Sequence, residues 1–223
     1  MKKILLPAIF LILLSAILLP RFFIKVRIDC RTQYGGCPEE IASQIIPLEG
    51  KSMFYAGREL NKKLKSSFIV SAFSVQFKLP NVLRVDLIIK KPVFALRNIS
   101  AGTLVLVDKE GIVLALSEET TLPEVSVKID LPEPGERVTD THLLALRLTE
   151  GIYKMYQTRT STIEGDTLLV ELPGPIRVIF PLVGADREML LGSLRLIYSG
   201  IQSGEGDVLY SQIDLRYKNP VLR

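Results

Sequence analysis

Residues Ile4 to Pro20 (ILLPAIFLILLSAILLP) carry no charge and one polar side chain, Ser15, and they follow Lys2 and Lys3 directly. No other stretch restricts the chain as strongly, because a run this apolar must be withdrawn from water. As a helix rising about 1.5 Å per residue it covers about 25 Å of a hydrocarbon core roughly 30 Å thick. Arg21 can snorkel to the headgroups, while Phe22, Phe23 and Ile24 prolong the apolar stretch. Pro7 falls in the first turns, where a missing N–H costs little. A cleaved secretory signal shares the basic start and the apolar stretch, but no A-x-A-like site stands between Ser15 and Arg21. The run therefore predicts a single uncleaved transmembrane helix, with residues 1–21 forming a short cytoplasmic tail and an anchor. Lys2 and Lys3 favour a cytoplasmic N-terminus, whereas Arg21, Lys25 and Arg27 beyond the run oppose a simple positive-inside count.

The remainder reads as globular, since 48% hydrophobic residues suffice to bury a core. One His and two Cys leave little material for a multi-histidine or tetrathiolate metal site, and no cofactor is expected. The formal charge of +4 hides an uneven distribution. Between Phe22 and Arg97 there are 13 Lys or Arg against 6 Asp or Glu, whereas Asn98 to Arg223 has 12 against 18. Two regions of opposite sign predict two domains, 22–97 and 98–223. Cys30 and Cys37 in DCRTQYGGCPEE flank a Gly35-Gly36 turn. Either they close a short loop by a disulfide, which persists only in an oxidising exterior compartment, or they stay free as small apolar side chains.

Periodicity orders the first block as β-α-α-β-β. Phe23 to Asp29 alternates, with Ile24, Val26 and Ile28 on one face. Pro38 to Ile46 predicts a short helix with Glu39 and Glu40 in its first turn. A second helix from about Ser52 aligns Met53, Ala56, Leu60 and Leu64. Two alternating strands follow, through Phe73, Val75 and Phe77 and through Leu83, Val85, Leu87 and Ile89, joined by Leu79-Pro80-Asn81. Lys91-Pro92 marks the exit.

The second block begins with a predicted hairpin, Thr103 to Val107 and Ile112 to Leu116. A proline-bearing connection leads to a helix from about Thr139 to Gln157 with Leu144, Leu148, Ile152 and Met155 as its stripe. Strands are expected at Thr158 to Ile163, Thr167 to Leu172 and Arg177 to Phe180. Asp186 is placed to cap a helix carrying Leu190, Leu194, Ile197 and Ile201, and Tyr210 to Tyr217 forms a closing strand. The expected class is α+β: a transmembrane helix, a small β-α-α-β-β domain and a larger strand-rich domain with two helices.

This order of parts resembles the FtsQ/DivIB family of bacterial cell-division proteins, whose first extracytoplasmic block is a POTRA domain. The likeness is carried by Gly50 to Leu96 (GKSMFYAGRELNKKLKSSFIVSAFSVQFKLPNVLRVDLIIKKPVFAL), by LVDKEGIVL from Leu106 to Leu114, and by IDLRY from Ile213 to Tyr217. Against that pattern the loop between Cys30 and Cys37 reads as an insertion.

The resemblance implies a non-enzymatic scaffold in the cell membrane, enriched at the division septum. Its partners would be bitopic divisome proteins of the FtsB (DivIC) and FtsL type. The implied contact is a partner strand added to the last edge of the second block. Here that edge comprises Ser211, Ile213, Leu215 and Tyr217 of the closing strand, with Lys218, Asn219 and Val221 of the exit. Basic residues near the anchor, Lys25, Arg27, Lys62 and Lys63, are expected to face anionic headgroups of the lipid bilayer. Few aromatics interleave with them, which disfavours nucleic acid.

A different envelope-assembly protein with the same first block is the alternative binding reading, and a membrane-anchored cell-wall hydrolase the enzymatic one. For catalysis the residues offer little. His142 has no neighbouring nucleophile motif, Glu118, Glu119, Glu133 and Glu136 lie in polar loops, and Asn98-Ile99-Ser100 is an isolated sequon. No small-molecule substrate is expected.

Overall fold

A computed structural model describes residues 23–203 and 210–223. The chain divides into two compact units, Met1–Lys90 and Lys91–Arg223, each with its own core.

In the first unit, strand β1 (Arg27–Thr32) runs parallel to β4 (Val82–Ile89), with β3 (Val70–Lys78) antiparallel on the far side of β4. A two-residue strand β2 (Gly35–Gly36) folds back on β1, giving the order β2-β1-β4-β3. Helices α1 (Glu39–Ile45) and α2 (Met53–Ser66) connect β1 to β3. Ser52 caps α2 by accepting the Tyr55 N–H at 3.4 Å. The helices cover the face built by Leu83, Val85 and Leu87, and Val26, Ile41, Ala56, Leu60 and Leu64 complete that core. Two-residue alternation turns Asp29, Arg31, Arg84 and Asp86 to the other face, where Asp29 pairs with Arg31 and Asp86 with Arg84, each at 2.9 Å.

In the second unit a nine-stranded sheet has the order β13-β12-β11-β10-β9-β8-β5-β6-β7. Its first half holds β5 (Phe94–Asn98), β6 (Leu104–Val107), β7 (Val113–Ser117) and β8 (Glu124–Val127). Next come β9 (Thr160–Glu164), β10 (Thr167–Leu172) and β11 (Ile176–Pro181), and the sheet ends with β12 (Gln212–Asp214) and β13 (Val221–Leu222). Helix α3 (Asp140–Tyr156) joins the parallel neighbours β8 and β9, and α4 (Arg187–Gln202) joins the parallel neighbours β11 and β12. Each helix is thus a crossover inside a β-α-β unit, the connection that a parallel pair requires. Phe94, Leu96, Val125, Leu168, Val178, Phe180 and Ile213 share one core with Leu148, Ile152 and Leu194 of the two helices.

Several sequence expectations are corrected. The α+β class gives way to a mixed α/β fold with a four-stranded and a nine-stranded sheet, because α3 and α4 bridge parallel strands and do not stand apart from them. The expected transmembrane helix lies outside the described residues, among which no helix is long and apolar enough to cross a membrane. The domain limit at Arg97 falls inside β5, which belongs to the second sheet. The first strand starts at Arg27, not Phe23, since Ile24 to Val26 are hydrogen-bonded to the segment before α2: the Met53 N–H donates to the Ile24 carbonyl at 2.9 Å and the Val26 N–H to that of Lys51 at 3.1 Å. The cysteine loop carries β1 onward into β2, and Cys30 and Cys37 are joined by a disulfide across that hairpin.

Two central strands, β5 and β8, had no counterpart in the periodicity. In α3 the buried side is wider than the expected stripe. Leu143, Ala145, Leu146 and Thr149 are buried with Leu148 and Ile152, while Met155 is exposed. The closing strand spans only Gln212–Asp214 and is followed by a reversal into β13.

Candidate partner-binding edge

The site implied by the resemblance is the end of the large sheet, and its geometry starts from β12. On one side β12 is parallel to β11: the Arg177 N–H donates to the Ser211 carbonyl and the Leu215 N–H to the Ile179 carbonyl, both at 2.9 Å. On the other side lies β13, antiparallel, with Ile213 opposite Leu222 and Asp214 opposite Val221. The Arg223 carbonyl accepts N–H bonds from Ser211 at 2.7 Å and Gln212 at 3.0 Å, and the Arg223 N–H returns one to the Gln212 carbonyl at 3.0 Å. The edge of β12 is therefore occupied by the last residues of the same chain.

What ends β12 is a local turn chemistry. The Asp214 side chain is wholly closed to water and accepts from the Arg216 backbone N–H at 3.1 Å, from Arg216 Nε at 2.9 Å and from Arg216 Nη2 at 2.6 Å. These bonds form only if the chain bends at Leu215 and Arg216, as Asp side chains commonly direct. They hold the Asp214 carboxyl below the usual carboxylate range against the opposing effect of burial. The Arg216 guanidinium carbon also lies 5.8 Å from the centre of the Tyr217 ring.

The seven implied contact residues consequently separate into three groups. Ile213 and Leu215 are buried in the core, so their side chains cannot meet a partner. Ser211, Tyr217, Lys218 and Asn219 are exposed, the last three on the reversal after β12. Val221 belongs to β13 and pairs with Asp214. The contribution of β13 itself escaped the sequence reading. Its only signal was Pro220, which breaks the closing segment into two pieces.

The basic set also divides. Arg27 stands opposite Val82 in the β1–β4 ladder, on the face away from the helices, while Lys62 and Lys63 lie on α2. Lys63 Nζ donates to the Gln44 carbonyl at 2.8 Å, which ties α2 to the end of α1. Lys25 is exposed beside the Asn81 amide, which donates to its carbonyl at 3.2 Å.

Three of the other residues singled out in the sequence, Asn98 of the sequon, Glu136 and His142, have structural partners. Asn98 is buried and its side-chain oxygen accepts the Ser100 and Ala101 N–H groups at 2.8 and 3.1 Å, organising the turn after β5. Glu136 accepts the Glu133 N–H at 2.9 Å within its loop. His142, whose pKa is lowered by burial, sits 3.0 Å from the hydroxyl of Thr139, the cap of α3. It borders a hollow of about 520 Å³ with Val127, Ile129 and Ile163. A second hollow of about 380 Å³ lies on the helix-free face of the large sheet among Ser126, Thr160, Thr162, Glu171 and Arg177. Among the described residues no cluster of His, Cys, Asp or Glu is arranged to hold a metal ion.

No protein-family model matches the chain, and no curated protein matches it at a significant level.

Proposed function

We propose that this chain is a non-enzymatic scaffold of the bacterial division machinery, held at the outer face of the cell membrane. It recruits small bitopic partners of the FtsB (DivIC) and FtsL type and supports septum formation. The observation that carries this reading is the sheet edge at β12, which is closed by a strand of only two residues, Val221–Leu222. Main-chain pairing over so short a length is weak, and an extended partner segment offering more residues would replace it by strand addition. Tyr217, 55% exposed beside that edge, supplies an amphipathic anchor for such a segment.

The location rests on two supports. The disulfide between Cys30 and Cys37 belongs to an oxidising compartment. The charge-free run Ile4 to Pro20, outside the described residues, favours attachment to a bilayer with Lys2 and Lys3 on the cytoplasmic side.

The experiment is affinity purification of the full chain from membranes with identification of what accompanies it. Tyr217→Ala is expected to abolish recovery of a small bitopic coiled-coil protein while leaving the chain folded. Unchanged recovery, or capture of no division protein by the wild-type chain, overturns the reading.

A further inference from the structure

Helix α2 presents a face that the core does not explain. Tyr55, Arg58, Lys62 and Lys65 recur at i, i+3, i+7 and i+10, so they share the side opposite the buried Ala56, Leu60 and Leu64, and all four are exposed. Phe54 flanks Tyr55 in the first turn, and the two aromatic residues are 52% and 50% exposed. The acidic residue of this helix, Glu59, lies to one side and is only half exposed. One stripe of this helix thus offers an aromatic ring of the kind enriched at headgroup level and three cations within reach of lipid phosphates.

The position of the face in the unit names its occupant. The apolar run ends at Pro20, and the chain then enters the first unit at Ile24, whose carbonyl accepts the Met53 N–H at 2.9 Å. The Gly50 N–H in turn donates to the Val26 carbonyl at 2.9 Å. The aromatic turn of α2 thus adjoins the point where the chain arrives from its most lipid-soluble segment, and Phe23, 77% exposed, stands at that same point. We propose that the first unit docks on the surface of an anionic bilayer through this face. Phe54 and Tyr55 enter the boundary between headgroups and acyl chains, and Arg58, Lys62 and Lys65 contact the lipid phosphates. This rests on the membrane attachment proposed above and not on the division partner. It replaces the basic set expected from the sequence, because Lys63 is engaged with Gln44 and Arg27 lies on the other side of the sheet.

The chain contains no tryptophan, so Tyr55→Trp installs a single indole reporter. The full-length variant is reconstituted into vesicles of phosphatidylcholine, or of phosphatidylcholine mixed with phosphatidylglycerol, each doped with brominated lipid. Quenching of the indole is expected to be at least about threefold stronger in the anionic vesicles, and to fall to the neutral level when Arg58→Glu, Lys62→Glu and Lys65→Glu are added. A Tyr34→Trp reporter, in the exposed turn between β1 and β2, is expected to remain unquenched in both. Equal quenching in the two vesicle types, or quenching indifferent to charge reversal, overturns the docking face and leaves an acidic protein segment as its occupant. Vesicle flotation separates the two readings. A chain that floats without quenching refutes the docking alone, whereas a chain that does not float refutes membrane attachment as well.

Discussion

The Asp214 carboxylate and the Arg216 guanidinium meet at two points, 2.9 Å from Oδ1 to Nε and 2.6 Å from Oδ2 to Nη2, with the Asp214 side chain fully enclosed. The pairing holds the native Asp214 pKa below its ordinary value. A depressed carboxylate pKa stabilises the fold at all pH above the unfolded value of about 3.9, and that contribution disappears as pH falls toward the native one. Urea midpoints measured from pH 7 down to pH 3 are expected to drop less steeply for Asp214→Asn than for the wild-type chain. Parallel profiles would remove Asp214 as a source of the acid sensitivity.

Thr149 in α3 and Ser161 in β9 are both buried, and their hydroxyls lie 2.6 Å apart. Thr149 also donates to the Ala145 carbonyl at 2.8 Å, so Ser161 is the group that depends on the pair. Thr149→Val leaves the Ser161 hydroxyl buried without that partner and is expected to cost about 1–3 kcal/mol. The double variant Thr149→Val/Ser161→Ala should recover part of the loss. A double-mutant cycle on denaturation midpoints checks this, and strict additivity would count against the coupling.

The disulfide between Cys30 and Cys37 anchors more than its own hairpin. Within the loop it closes, Gln33 donates from Nε2 to the Ile89 carbonyl at 2.7 Å and accepts the Ile89 N–H through Oε1 at 2.9 Å, prolonging the β1–β4 ladder with a side-chain amide. Cys30→Ser with Cys37→Ser frees the loop in the unfolded chain and is expected to lower the stability of the first unit by on the order of 2 kcal/mol. Amide exchange at Ile89 should accelerate with it. Exchange there that ignores the bridge would separate the Gln33 contact from the disulfide.

Deleting Val221 to Arg223 removes the acceptor of the Ser211 and Gln212 N–H bonds. Hydrogen exchange at those two amides is expected to rise by about tenfold, the equivalent of one net hydrogen bond. In the membrane pull-down the same deletion should increase partner recovery if the β12 edge is where a partner strand pairs. A fall in recovery would instead mean that β13 itself is part of the contact.

How much of this was legible depends on where each residue's partners lie. Helix starts could be read from single side chains: Asp186 accepts the Met189 N–H at 2.8 Å, and Thr139 the His142 N–H at 3.2 Å. The half-buried β3 and β4 could be read from alternation, since one face of each meets helices and the other meets water. β5 could not. Phe94, Ala95 and Leu96 are all buried, so neither face is polar and no period of two survives. In α3 a single stripe was expected, yet the helix is covered on a second side by α4, where a Cβ on Gly151 would strike Leu191. The site was legible as a set of residue types but not as a surface, because Ile213 and Leu215 turn into the core while Tyr217 does not.

By itself the amino-acid order determined the apolar run at the start, the contrast of charge between the two regions, the helix caps and the alternating strands. These are properties of neighbours a few residues apart, where backbone periodicity and short-range hydrogen bonding leave a readable trace. Only the tertiary structure decided that β5 and β8 run through the middle of a nine-stranded sheet and that β13 closes the edge of β12. It also decided that the cations near the first strand point to different sides of their unit. Each of these depends on hydrogen bonds and packing between segments far apart in the chain, and strand pairing of that kind is selected by the whole core and not by any local pattern.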